Sequence, residues 1–147
     1  MDKVDEAIIK MLQVDARIPL KKIAAQVYLS SPAVSARIER LEKEGIIEGY
    51  HAQIDPFKTG YHIKAYVNLE IVPRQKAELY PILKEHLNVL ECDCVTGQYS
   101  LILKVAFPST MELDAFIGEI QHFGKTSTQI VFSTIVENRG VDVHTNK

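Results

Sequence analysis

The spacing of apolar residues changes near residue 55 of this 147-residue chain, and that change constrains the fold most strongly. Before it, apolar residues recur every three or four positions, as along one face of an amphipathic helix. After it, in residues 61–71, odd positions are apolar and nearly all even positions are polar, the pattern of a half-buried strand. Pro and Gly within residues 55–60 predict a linker. Two small domains of different class are therefore expected.

Three helices are predicted in the first 45 residues. Asp2 can cap the first helix, because its carboxylate can accept from a free backbone N–H of the first turn. Ser30 or Ser31 can cap the third, with Pro32 in its first turn, where a missing N–H costs little. Gly45 is expected to end it in the left-handed conformation. The predicted helices cover residues 2–14, 20–27 and 31–44.

A helix of about eight residues, a tight turn and a longer basic helix are typical of a helix-turn-helix. Val34, Ile38 and Leu41 form the predicted buried stripe of the third helix, and Arg40 is expected to point away from that stripe with Arg37 on its flank. Small residues near the helix start would allow approach to base edges, and arginines reach phosphates or guanine. The candidate DNA contacts are Ser30, Ser31, Pro32, Ala33, Ser35, Arg37 and Arg40. A plain three-helix packing module is the alternative.

The distribution of charge along the chain supports a DNA-binding helix-turn-helix better than the net charge does. The net charge is −2, yet residues 17–43 contain six Lys or Arg and only two Glu. Binding to phosphates requires a local basic surface, not a basic protein. An ordinary solvated charged face remains the alternative.

The second half is predicted to have the element order β-α-β-β-α-β. The strands are expected at residues 61–71, 89–96, 99–107 and 126–136, and the helices at residues 75–87 and 109–121. Pro81 requires the first of these helices to begin near residue 77 or 78, or to bend. This order is the ferredoxin-like arrangement, in which helices cover one face of an antiparallel sheet. The fold class is therefore α+β, and a short strand over residues 46–54 completes a winged helix-turn-helix domain.

The helix-free face of this sheet is expected to be apolar, because Ile102, Ala106, Val131 and Ile135 alternate with the core positions. Exposed apolar faces of this kind mark interfaces. The sequence therefore predicts a homodimer formed sheet to sheet. Residues 138–147 are expected to be a loose tail.

The sequence contains no pattern that is typical of an enzyme active site. No Ser/His/Asp set, phosphate-binding Gly loop, carboxylate pair or Cys/His metal spacing is present, so neither a cofactor nor a metal is predicted. Cys92 and Cys94 are interpreted as small core or interface residues. An acidic, polar start and the lack of a long apolar run predict a cytoplasmic protein.

Motifs from nearly the whole chain resemble, in order, those of the Lrp/AsnC family of bacterial and archaeal regulators. They are Asp2-x-x-Asp5-x-x-Ile8, Leu12-Gln13-x-Asp15-Ala16-Arg17, Leu29-Ser30-Ser31-Pro32-Ala33-Val34-x-x-Arg37-Ile38-x-Arg40-Leu41-Glu42, Gly45-Ile46-Ile47-x-Gly49-Tyr50, Val95-Thr96-Gly97-x-Tyr99-Ser100 and Ile130-Val131. Two positions depart from the family pattern. Tyr28 stands where Gly or Asn is common because the turn tends to need a positive φ, and Ser100 stands where many members have Asp.

The resemblance implies a transcription regulator that binds double-stranded DNA and responds to a small molecule, such as an amino acid. It also implies assembly of dimers into a tetramer or octamer. From the residues alone, the loop after the second strand is either an ordinary hairpin or a site where free backbone amides meet a carboxylate; the resemblance favours the site. The implied ligand residues are Thr96, Gly97, Gln98, Tyr99, Ser100 and Gln121. The predicted domains are DNA-binding residues 1–54, the linker 55–60, the effector-binding and oligomerisation residues 61–137 and the tail 138–147. The alternative is a ligand-independent architectural DNA-binding protein of the same fold.

Overall fold

The chain divides into two compact units in a computed structural model that describes residues 1–144. One unit contains Met1–Gln53 together with the chain from Val136 onward, and the other contains Ile54–Ile135. The segment predicted as a loose tail has no regular structure over residues 138–144, but Gln13 donates a hydrogen bond to the carbonyl of Val141. Residues 145–147 lie outside the described part. No helix within residues 1–144 is long and apolar enough to cross a membrane.

Three helices form the first unit, close to their predicted positions: α1 Lys3–Val14, α2 Leu20–Val27 and α3 Ser31–Lys43. The Asp2 side chain accepts from the Asp5 N–H, and the Asp5 side chain accepts in return from the Asp2 N–H. This reciprocal cap satisfies backbone donors that a helix start leaves free. The buried core between the three helices contains Ile8, Ile23, Ala24 and Val34.

The turn between α2 and α3 depends on one left-handed residue. Tyr28 has φ 57° and ψ 41°, so the positive φ expected at this position is present although the residue is not Gly. Its side chain is 94% exposed. Leu29 N–H then bonds to the Ala24 carbonyl at 3.0 Å, which closes the turn.

The prediction of a strand over residues 46–54 is wrong. Gly45, with φ 70°, ends α3 as expected. The N–H groups of Ile46 and Ile47 then both bond back to the Leu41 carbonyl, at 2.9 and 3.2 Å. A β-strand needs a neighbouring strand for its backbone hydrogen bonds. Within the described residues, this segment pairs with no strand.

The second unit confirms the β-α-β-β-α-β order. Its elements are β1 Ile63–Leu69, α4 Lys76–Glu85, β2 Val89–Cys94, β3 Leu101–Phe107, α5 Thr110–Ile120 and β4 Thr126–Ile130. The strands lie in the order β2-β3-β1-β4, and all neighbours are antiparallel. The alternation predicted for β1 is present, because Ala65, Val67 and Leu69 are fully buried. They pack with residues of β3, α4 and α5 in one core.

Strand β4 is shorter than predicted because its partner strand, β1, ends. Ala65 pairs with Ile130, and one further bond joins Val131 N–H to the Lys64 carbonyl at 2.8 Å. Beyond this bond β1 continues by only one residue, Ile63, so β4 has no partner strand as far as residue 136. Pro81 lies inside α4, which follows a 3-10 turn at Pro73–Gln75.

The helix-free face of the sheet is less apolar than predicted. Ile102 and Val131 are only half-buried there, but the register also places polar residues on this face. These polar residues are Lys64, Asn68, Lys104, Ser127 and Gln129. Cys92 and Cys94 do not lie in the core, one of their two predicted positions: both are exposed, because β2 is an edge strand, and an interface position stays a prediction.

Candidate nucleic-acid interface and effector loop

One stripe of α3 is open to solvent along its whole length. It consists of Pro32, Ala36, Glu39 and Lys43, all exposed and spaced by three or four residues, and Ser35 lies half-buried at its edge. The Ser35 hydroxyl donates to Glu39 Oε1 at 3.1 Å. The stripe begins with small side chains, so a DNA base edge could approach the helix backbone closely there.

Arg37 and Arg40 do not belong to that stripe. Arg37 Nη1 donates to Asp2 Oδ2 and Asp5 Oδ1, each at 2.8 Å. Arg40 Nη2 donates to both carboxylate oxygens of Asp5 at 2.8 Å, and its Nη1 lies 3.3 Å from Glu44 Oε1. The prediction that Arg40 points away from the packed side is therefore wrong: both guanidinium groups join α3 to the start of α1. We call Asp2, Asp5, Arg37 and Arg40 the ion-pair cluster.

Asp5 is the centre of the cluster and is only 1% exposed. Burial alone would raise its pKa, but hydrogen bonds from Arg40, from the Asp2 N–H and from Arg37 outweigh that effect and lower the pKa to about 2. Hydrogen bonds to the carboxylates of Asp2 and Asp5 raise the pKa of the Arg37 guanidinium, and the hydrogen bond to Asp5 raises the pKa of Arg40. Asp5 is therefore ionised at neutral pH and fixes the position of α3 on α1.

Several other basic residues of this unit are open to a phosphate backbone. Arg17, Lys21, Lys22 and Lys43 are exposed. Lys21 and Lys22 occupy the first turn of α2, whose N-cap residue, Pro19, supplies no side-chain hydrogen bond to that turn. The positive end of a helix with free N–H groups favours phosphate.

The other predicted DNA contacts at the start of α3 either cap the helix or are half-buried. The Ser30 hydroxyl accepts from the Ala33 N–H at 3.3 Å and so caps α3. Ser31 and Ala33 are half-buried. The sequence interpretation missed Ala36 and Glu39, although a helical wheel places them four and seven residues after Pro32 on one face.

The loop between β2 and β3 presents free backbone amides. Val95 N–H bonds to the Ser100 carbonyl at 2.9 Å and closes the loop. Gly97 has φ 112°, and Thr96, Gly97 and Gln98 are exposed, whereas Tyr99 is half-buried. Within the described chain, the N–H groups of residues 96–99 have no hydrogen-bond partner. The loop can therefore offer donors to an anionic group.

Ser100 and Gln121 lie at the same end of the sheet. The Ser100 N–H and hydroxyl bond to the carbonyls of Leu69 and Ile71, at 3.1 and 3.2 Å. Gln121 Nε2 lies 3.3 Å from Thr126 Oγ1, and Thr126 is paired with Leu69. The register thus gathers the implied ligand residues around the Leu69 end of β1.

Comparison with known proteins assigns a family model to each unit. Residues 1–48 match the winged helix-turn-helix DNA-binding model, and residues 64–141 match the Lrp/AsnC ligand binding domain. A helix-turn-helix transcriptional regulator of Pyrococcus horikoshii is 32% identical over 137 residues, covering 90% of this chain and 87% of that protein. The regulator FL11 of Pyrococcus furiosus is 28% identical over 146 residues, which is 97% of each chain.

Solved structures agree over the same length. LrpC of Bacillus subtilis has a TM-score of 0.88 at 25% identity and covers 94% of this chain and 99% of its own. The leucine response regulatory protein LrpA of Mycobacterium tuberculosis has a TM-score of 0.83 at 27% identity, covering 97% and 100%. A regulator of Neisseria meningitidis, solved as an L-Met complex, shares the fold with a TM-score of 0.88 at 21% identity, covering 93% of both chains.

Proposed function

The chain belongs to the Lrp/AsnC family of transcription regulators, which are not enzymes, and we propose that it reads double-stranded DNA through α3 and responds to a free amino acid at the loop after β2. The exposed stripe of α3 is the observation that carries the first part. It is the face that the packing of α1 and α2 leaves open, and a helix of this kind fits a major groove.

Lys21 and Lys22 are proposed to contact phosphates. Lys21→Ala and Lys22→Ala should each flatten the slope of log affinity against log salt concentration by about one unit, because each lost contact releases one counterion fewer. Gel-shift titrations at several salt concentrations measure this slope. Lys76→Ala, an exposed lysine of the other unit, is the matched control. Wild-type protein that does not bind DNA at any salt concentration would refute the proposed function.

The amino-acid effector rests on the free amides of residues 96–99 and on the family model matched by this unit. A ligand carboxylate can accept from such amides, and the Neisseria meningitidis relative of the same fold binds L-Met. A thermal-shift screen of the twenty amino acids should show a raised melting temperature for at least one, by mass action on the folded state.

Gly97→Val should abolish that rise, because the side chain fills the approach to the amides. Gly60→Val is the matched control, since Gly60 also has a positive φ, of 93°, and equally open space for a Cβ. It imposes similar backbone strain in another loop. No response from wild-type protein would favour the ligand-independent architectural alternative.

Assembly into dimers, and of dimers into a tetramer or octamer, is the third part of the proposal. It is supported by large apolar side chains that this chain does not cover by itself, among them Phe132 at 100% exposure and Ile135 at 91%. Apolar surface of this kind favours association. The proposed location is the cytoplasm, where a regulator of this type meets bacterial or archaeal DNA.

A further inference from the structure

Glu39 occupies a position at which a carboxylate is difficult to explain as a simple surface charge. It lies in the middle of the exposed stripe, seven residues after Pro32 and three after Ala36. Residues at i, i+3, i+4 and i+7 of a groove-bound helix face the bases together, and here these are Pro32, Ser35, Ala36 and Glu39. In a DNA complex of the proposed kind, Glu39 therefore enters the groove between two phosphate backbones.

Within residues 1–144, no cation forms an ion pair with Glu39. Arg37 and Arg40, its neighbours on the helix, are bound to Asp2, Asp5 and Glu44. Lys43 is four residues further along, at a spacing that permits an ion pair, but none forms between them within the described residues. The one hydrogen-bond partner of the Glu39 carboxylate within residues 1–144 is the Ser35 hydroxyl.

The phosphates on both sides of the groove repel a carboxylate. Hydrogen bonds from donors on the base pairs are needed to offset this repulsion. The major-groove edges of guanine and thymine present acceptors, and adenine presents an acceptor beside its amino group. Cytosine presents only the N4 amino donor. Ser35 donates to Oε1, which leaves Oε2 to accept from a base.

We propose that Glu39 is a specificity-determining residue that accepts a hydrogen bond from a cytosine N4 amino group, with Ser35 orienting its carboxylate. This inference rests on the proposed placement of α3 in the major groove. Small neighbours on the stripe, Pro32 and Ala36, permit the close approach that the contact needs.

The test is selection of binding sites from random double-stranded DNA by wild-type protein and by Glu39→Gln, Glu39→Ala and Glu85→Gln. Glu85 is an exposed glutamate of α4 and provides the same change of charge outside the DNA-binding unit. Wild-type protein and Glu85→Gln should select a cytosine at one position of each half-site, preferred over other bases by about five- to a hundredfold. Glu39→Gln should prefer adenine there, because glutamine bonds to adenine N6 and N7. Glu39→Ala should lose the preference.

A second measurement uses the selected site with N4-methylcytosine at that position. In a Watson–Crick pair the methyl group takes the place of the N4 hydrogen that faces the major groove, so wild-type affinity should fall by a similar factor while the affinity of Glu39→Ala stays unchanged. Glu39 variants that select the wild-type site with the wild-type preference at every position would overturn the inference and leave the proposed function intact. Failure of wild-type protein to select any sequence would instead count against the proposed function itself. Circular dichroism melts of the variants show whether a loss arises from unfolding.

Discussion

Arg37 and Arg40 stabilise the DNA-binding unit through the ion-pair cluster. Because Asp5 is buried, its charge is tolerated only with the hydrogen bonds that the two guanidinium groups supply. Loss of an arginine would leave a buried carboxylate without compensation. A weaker DNA affinity in Arg37→Ala or Arg40→Ala must therefore be read beside the stability of the variant, because a displaced α3 lowers affinity just as a lost phosphate contact does.

Asp5→Asn should therefore lower the free energy of unfolding by about 2 kcal/mol, the usual contribution of hydrogen bonds to charged groups. Urea unfolding followed by far-ultraviolet circular dichroism measures it. Asp114→Asn, at an exposed position of α5, is the matched control and should change the stability little. Equal stability of both variants would show that the cluster does not hold α3 on α1.

The contribution of Asp5 should also depend on pH. Its pKa is about 2 in the folded chain against an ordinary value of 3.8, so the unfolded state binds a proton first as the pH falls. The stabilisation is complete above about pH 4 and disappears as the pH falls toward 2. The stability difference between wild type and Asp5→Asn should shrink over this window, and a constant difference would contradict the assignment.

Tyr28 adopts a conformation that suits glycine better. A left-handed backbone costs a residue with a Cβ about 1–2 kcal/mol, and the exposed ring of Tyr28 loses little packing when removed. Glycine's extra freedom in the unfolded chain offsets part of the gain. Tyr28→Gly should raise the free energy of unfolding by about 0.5 kcal/mol. Gln26→Gly, inside α2, should lower it by about 1 kcal/mol. Urea titration of both variants checks the opposite signs.

Helices were predicted more accurately than strand ends because their signals are local. Asp2, Ser30 and Gly45 mark helix boundaries with groups that the sequence itself displays. The strand predicted over residues 46–54 failed because a strand depends on a distant partner, which periodicity does not reveal. The end of β4 depends in the same way on where β1 begins.

The candidate interface was predictable as a helix but not in all its side chains. A helical wheel gives the direction of Cβ and therefore finds the stripe of Pro32, Ala36 and Glu39. It cannot show that a long arginine side chain turns toward a carboxylate on another helix. Asp5 appears in the sequence as an ordinary first-turn acid, so its two arginine partners became visible only when α1 and α3 were placed together.

Gly124 shows how an element junction can depend on one missing methyl group. A Cβ at this position would meet the Glu70 carbonyl oxygen, at 1.7 Å, just after β1. Gly124→Ala should therefore force backbone atoms apart and lower the stability by at least about 2 kcal/mol. Gly118→Ala, inside α5 with open space around it, should instead raise the stability by about 1 kcal/mol. Thermal melts of both variants measure the contrast.

Assembly of the whole molecule can be tested on the helix-free face of the sheet. Ile102→Asp should place an unpaired charge in a sheet-to-sheet interface and shift the protein to monomers, because such a charge costs several kcal/mol, roughly 3–5. Light scattering at micromolar concentration measures the size. Phe132→Asp is the comparison, since Phe132 is fully exposed in the single chain. A dimer that survives Ile102→Asp and dissociates in Phe132→Asp would move the interface to the segment after β4.

The ion-pair cluster separates the parts of α3 that maintain the fold from the parts that face outward. Its arginines are held by hydrogen bonds to the start of α1, whereas the side chains of the exposed stripe face solvent. If α3 reads DNA as proposed, substitutions at Pro32, Ser35, Ala36 and Glu39 should change operator preference with little loss of stability. For the same reason, a library randomised at these four positions is a suitable starting point for regulators with new target sequences.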